Sequence, residues 1–167
     1  PYAISRATTD FHLNALFATA KFPVVFTRAA NVYGPGQQLY RIIPKTLLYM
    51  KYKKKIVIDG GGISKRSFVF IDDVVEAYYN VLFKGKIGRT YFVSSNKMIS
   101  IKELVKKICS IRSISFRDAS IVSKKDRIGK DGIYRLNYKN CFREFKWKPK
   151  TSLEKGINLT NEWIELN

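Results

Sequence analysis

The stretch VVFT, Val24 to Thr27, running straight into RAANVYGPG, Arg28 to Gly36, sets the tightest limit on the fold. Its first part is wholly β-branched or aromatic, which predicts a short buried strand, and its second part is a loop rich in turn formers. A buried strand that ends in a polar loop is where α/β proteins hold ligands. Upstream, Ala7, Phe11, Ala15 and Ala18 follow Ile4 at spacings of three and four. That period predicts an amphipathic helix ending near Lys21, with Pro23 as its stop.

The same alternation continues downstream. Pro44 suits the first turn of a second helix carrying Leu47, Leu48 and Tyr52. IVI, Ile56 to Ile58, predicts a strand, DGGG, Asp59 to Gly62, a flexible turn, and RSFVFI, Arg66 to Ile71, another strand. Asp72 or Asp73 is expected to cap a helix with Val74, Val75, Tyr78 and Leu82 on one side. TYFVS, Thr90 to Ser94, reads as a strand, and Ser100 with Glu103 and Thr151 with Glu154 have the spacing of capping boxes. Strands alternating with helices make an α/β domain, with no repeat and no evident linker.

The chain has 167 residues, 46% of them hydrophobic and 26% charged, which fits one globular domain or a large piece of one. No apolar run approaches the roughly 18 residues of a membrane-spanning helix, and no basic-then-apolar leader is present, so a cytoplasmic protein without a membrane partner is expected. Cys109 and Cys141 stand far apart without metal-ligand spacing, so both read as buried or idle thiols and no metal site is expected. Lys and Arg outnumber Asp and Glu by 31 to 13, a net charge of +18 that makes nucleic acid a partner to weigh. The lysines are nevertheless spread along the chain, with one run, KYKKK at Lys51 to Lys55, and no nucleic-acid motif accompanies them. A solvated helix end accounts for that run.

Tyr2 and Arg6 form Y-x-x-x-R at the head of the first helix, within PYAISR. After them come, in order, RAANVYGPGQQ, RIIP, DGGGISKRSFVFIDDVVEA, GRTYFVSS, DRIGKD and WKPKTSLEKGI. Together these resemble the C-terminal half of the extended short-chain dehydrogenase/reductases, specifically the NAD-dependent nucleotide-sugar epimerase/dehydratase family, and within it the dTDP-glucose 4,6-dehydratase group. Arg6 stands where the family has lysine. The resemblance implies the C-terminal part of a Rossmann-like fold, with residues 1–35 ending the NAD-binding part and residues 36–167 forming mainly the nucleotide-sugar-binding part. No G-x-x-G-x-x-G turn occurs in the chain. DGGG is not that turn, because strand residues follow it. The expectation is a fragment, inactive by itself, of an enzyme whose N-terminal half carries the pyrophosphate turn.

The resemblance also implies residue roles. Tyr2 is the acid/base and Arg6 its fixed cation, both beside the NAD cofactor, with Ala29 and Ala30 passing close to the nicotinamide. Asn31 contacts the sugar, Arg41 shapes the nucleotide pocket, and Arg66 and Arg127 clamp the diphosphate of a nucleotide-diphosphate sugar. A homodimer through the tyrosine-bearing helix is implied as well. His12 matches no motif and reads as structural. Three alternatives stay open: epimerase or reductase chemistry of the same superfamily, a catalytically silent homologue, and a basic nucleic-acid-binding domain.

Overall fold

A computed structural model gives the fold for residues 1–126, 129 and 131–167, with Tyr2 described by its backbone alone. Helix α1 (Tyr2–Ala20) stops where Lys21 turns left-handed at φ 55°, and the amides of Lys21 and Phe22 bond back to Phe17 and Leu16. The helix lies where it was expected, but its inward face differs. Asp10, Leu13, Leu16 and Phe17 are half-buried, whereas Ile4 and Phe11 are 72% and 75% exposed and Ala7, Ala15 and Ala18 are exposed too. The cause is local. Asp10 pairs with Arg28, and the Phe17 ring occupies the space that a Cβ on Gly88 would fill.

Strand β1 (Phe26–Ala29) begins two residues later than VVFT suggests, and the presumed loop contains a further strand, β2 (Asn31–Tyr33). Helix α2 (Ile42–Lys51) has Pro44 in its first turn. After β3 (Ile56–Ile58), DGGG forms a 3-10 turn in which Gly60, Gly61 and Gly62 all have positive φ. Only glycine adopts such a run readily. RSFVFI divides at Ser67 into β4 (Lys65–Arg66) and β5 (Phe68–Phe70). Then follow α3 (Ile71–Lys84), β6 (Thr90–Val93), β7 (Ile99–Ser100), α4 (Ile101–Ile111), α5 (Phe116–Ala119), β8 (Ser120–Val122), β9 (Ile133–Tyr134), α6 (Lys139–Phe145) and α7 (Leu153–Leu166).

Three parallel pairs, β1 with β6, β2 with β5 and β3 with β8, stand beside a mixed sheet in which β4 runs antiparallel to β7 and parallel to β9. This is the expected α/β class. Two apolar cores result. One packs α2, α4 and α7 around Leu47, Leu104, Ile108 and Ile157; the other packs α3 against β1 and β6 through Val74, Ala77, Val81, Tyr91 and Val93. The second draws on residues from both sides of position 35. On α3 the buried apolar positions are Val74, Ala77 and Val81, while Val75, Tyr78 and Leu82 are exposed, so the expected apolar side is corrected. The small Ala77 lets the helix lie close to the strands.

Two caps also differ from expectation. Asp73 sits inside the first turn of α3 rather than capping it, and its buried carboxylate accepts the amides of Lys150 at 3.1 Å and Thr151 at 3.0 Å. Thr151 is thereby held outside α7, and Ser152 becomes the cap, accepting from the Lys155 amide at 3.1 Å. At α4 the Ser100 and Glu103 capping box forms as expected. Among the described residues no helix is long and apolar enough to cross a membrane.

Candidate functional site

The site grows from an exchange of strand partners at Ala30. Its amide donates to Val93 O at 2.8 Å, whereas the next amide, Asn31 N, donates to Ser67 O at 3.2 Å. The chain leaves β6 and joins β5 within one residue, which opens a crevice between the two pairs. A buried polar stitch fixes the opening. Ser67 Oγ lies 3.0 Å from Ser94 Oγ and accepts from Ser95 N at 3.2 Å. Asn31 Nδ2 donates to Ser67 O at 3.0 Å, which fixes the amide plane at the crevice.

A cavity of about 690 Å³ opens there, lined among others by Ala30, Asn31, Arg41, Lys45, Asp59 and Arg66. Among the described residues its lining carries three cations, Arg41, Lys45 and Arg66, against one carboxylate, Asp59. Ile42 and Ile43, the first residues of α2, also face it. The first amides of a helix have no intrahelical acceptor and favour anions. Among the described residues Arg66 is held by backbone rather than by acids: it donates to Lys65 O at 2.8 Å and Asp131 O at 2.7 Å. Arg41 lies with its guanidinium carbon 5.2 Å from the Tyr40 ring centre. The positive charge of the guanidinium groups therefore remains available to an anion, and planar guanidinium suits a diphosphate.

A larger cavity of about 1060 Å³ lies between Ser95–Ile99 and Lys148–Glu154. Among the described residues its lining carries four lysines, Lys97, Lys107, Lys148 and Lys150, against two carboxylates, Glu103 and Glu154. Lys107 pairs with Glu154 at 3.0 Å, Lys150 with Glu76 at 2.7 Å, and Glu103 caps α4. The smaller cavity differs in carrying two guanidinium groups, Arg41 and Arg66, and the start of α2, which suit a diphosphate better than lysines alone. Tyr33 lines it but is no base there. Burial first, then the negative charge of Asp73, pushes its phenol well above the usual tyrosine range, and its hydroxyl donates to Leu153 O at 3.4 Å.

Of the residues singled out in the sequence, Ala30, Asn31, Arg41 and Arg66 come together around this cavity. Ala29, half-buried at the end of β1, packs into the second core beside it. Arg6 sits exposed on α1, away from the cavity lining. Arg127 lies outside the described residues, and the side chain of Tyr2 is likewise not described. Sequence reasoning did not single out Gln37, Lys45, Asp59 or Ser64, which also line the cavity. Gln37 and Lys45 sat within or beside quoted motifs, but a lone lysine or glutamine carries no spacing signal.

A crevice at a strand exchange, lined by cations and a helix start, is a nucleotide-ligand geometry of dinucleotide-fold α/β proteins. Residues 1–94 match the NAD dependent epimerase/dehydratase family, and the chain belongs to it. The mouse dTDP-D-glucose 4,6-dehydratase is 36% identical over an alignment covering 100% of this chain and 48% of that protein. The structure of dTDP-glucose 4,6-dehydratase from Bacillus anthracis, in complex with NAD, superposes with a TM-score of 0.91 at 30% identity, covering 100% of this chain and 52% of that one. UDP-glucose 4-epimerase from Thermotoga maritima, with UDP-glucose, gives a TM-score of 0.91 at 27% identity, covering 99% and 53%. The chain spans about half the length of the curated relatives it matches.

Proposed function

We propose that this chain forms the nucleotide-sugar-binding part of an NAD-dependent nucleotide-sugar 4,6-dehydratase. The observation that carries the reading is the cavity at Ala30 and Asn31, where, among the described residues, Arg41, Lys45, Arg66 and the start of α2 meet one carboxylate, Asp59. A nucleotide-diphosphate sugar meets these demands: Arg66, with Arg127, holds the diphosphate, Arg41 the nucleotide side, and Asn31 the sugar. Ala29 and Ala30, at the strand exchange, are the residues that pass close to the nicotinamide in this reading. NAD bound there would supply the hydride acceptor for oxidation of a sugar hydroxyl.

In this reading Tyr2 takes the hydroxyl proton. A free phenol has a pKa of about 10 and needs a nearby positive charge to work at neutral pH. Arg6 lies one helical turn on, along the same face of α1, and supplies that charge. Its planar fork replaces the compact ammonium of a lysine, so in a parent enzyme that includes the N-terminal half Arg6→Lys is expected to keep or raise the rate of hydride transfer. These 167 residues are expected to bind the nucleotide sugar but, incubated with NAD and dTDP-glucose, to form no 4-keto-6-deoxy sugar. Epimerase chemistry is the second reading, favoured by the equal TM-score of the Thermotoga maritima enzyme. The ketone product at C6-deoxy level distinguishes the two.

Calorimetric titration with dTDP-glucose tests the binding claim. Arg66→Ala is expected to weaken binding at least about tenfold, the loss of a charge-assisted contact. Tyr2→Phe should bind nearly as the unsubstituted chain does. Equal affinity of the Arg66→Ala variant would remove the diphosphate clamp from the account.

A further inference from the structure

Among the described residues two buried polar atoms have no hydrogen-bond partner, Gln37 Oε1 and Ser64 Oγ, and both residues line the 690 Å³ cavity. Unpaired buried polar atoms are rare because each gives up its water without replacement. Neither can easily turn away. Gln37 Nε2 donates to Val32 O at 2.6 Å, so the other end of the amide is an acceptor only. Ser64 is 3% exposed, and its carbonyl accepts the Ile101 amide at 3.1 Å, which fixes the backbone beneath the hydroxyl. Along this extended segment Ser64 and Arg66 face inward while Lys65 is exposed, so the serine hydroxyl shares the side of the diphosphate-binding arginine.

We propose that Ser64 and Gln37 are specificity-determining contacts of this cavity, completed by the bound ligand. Gln37 Oε1 accepts from a hydroxyl or imide N–H of the nucleotide sugar, and Ser64 Oγ bonds a polar atom on its diphosphate side. The inference rests on the nucleotide-sugar reading of the same site and names groups which that reading does not use. Gln37 selects for ligands that present a donor, because a ligand without one leaves a buried acceptor unpaired.

Two readouts on the same proteins separate ligand contacts from structural ones: calorimetric affinity for dTDP-glucose, and the melting temperature without ligand. Ser64→Ala removes an unpaired hydroxyl, so its ligand-free melting temperature should hold or rise while its affinity falls about five- to tenfold. Gln37→Met should lower affinity by a similar factor. A Ser64→Ala chain that melts lower would show the hydroxyl already satisfied in the free protein, as by a buried water, and would overturn the proposal. Unchanged affinity in both variants would overturn it as well while leaving the nucleotide-sugar site standing. Failure of the unsubstituted chain to bind dTDP-glucose would instead overturn the site reading, and this inference with it.

Discussion

Gly156 shows how tightly single positions are set beneath the site. It lies within α7, where a Cβ would come 2.8 Å from Phe70 Cδ2 and closer still to the Tyr33 hydroxyl. Alanine in a helix interior gains about 1 kcal/mol over glycine. Overpacking a core costs about 1–3 kcal/mol, and here two aromatic rings, packed edge to face, would both have to move. The clash wins, so Gly156→Ala should lower the urea midpoint of unfolding, whereas an alanine free of contacts would raise it. Tyr33 belongs to that packing, which is why a tyrosine lining the cavity acts as wall and not as base.

Caps and ties decide where the helices begin. At α4 the Ser100 hydroxyl and backbone amide bond the Glu103 carboxylate and hold its pKa below the usual glutamate value, helped by Lys65 and Lys106. A lowered carboxylate stabilises the fold above the unfolded pKa of about 4.3 and loses that contribution as pH falls through the folded value. Melting temperature should therefore drop between about pH 5 and pH 3, and Ser100→Ala should flatten that part of the curve. Asp73→Ala leaves the Lys150 and Thr151 amides without their acceptor and is expected to cost about 2–4 kcal/mol by urea unfolding, with Asp73→Asn milder. The sequence made the Ser100 box legible because its partners are three residues apart. It hid the Asp73 tie, whose partners lie more than seventy positions away. Likewise the period of α1 was plain, yet its inward face depended on Gly88 and Arg28, which no local pattern reveals. Arg66 and Asn31 stood out only through their motifs, and the cavity that joins them arises from a partner exchange between strands.

At the scale of the molecule, α1 turns Ile4 and Phe11 outward on a face it shares with Ala7, Ala15 and Ala18. A dimer through this helix would bury that face, and sedimentation should then show a larger species that Phe11→Glu dissociates. The net charge of +18 adds a long-range field that draws anionic ligands toward the molecule, an effect that weakens with salt. Affinity for a nucleotide sugar should accordingly decline with ionic strength, yet persist through the cavity contacts. The crevice at Ala30 and Asn31 is the proposed nucleotide-sugar site. Amide chemical shifts recorded by NMR during titration with dTDP-glucose test it most directly. The largest changes are expected at Asn31, Ile42, Ile43 and Arg66, with little change around Lys97 and Lys148 in the larger cavity. Shifts concentrated at that second cavity, or spread evenly over the surface lysines, would contradict it.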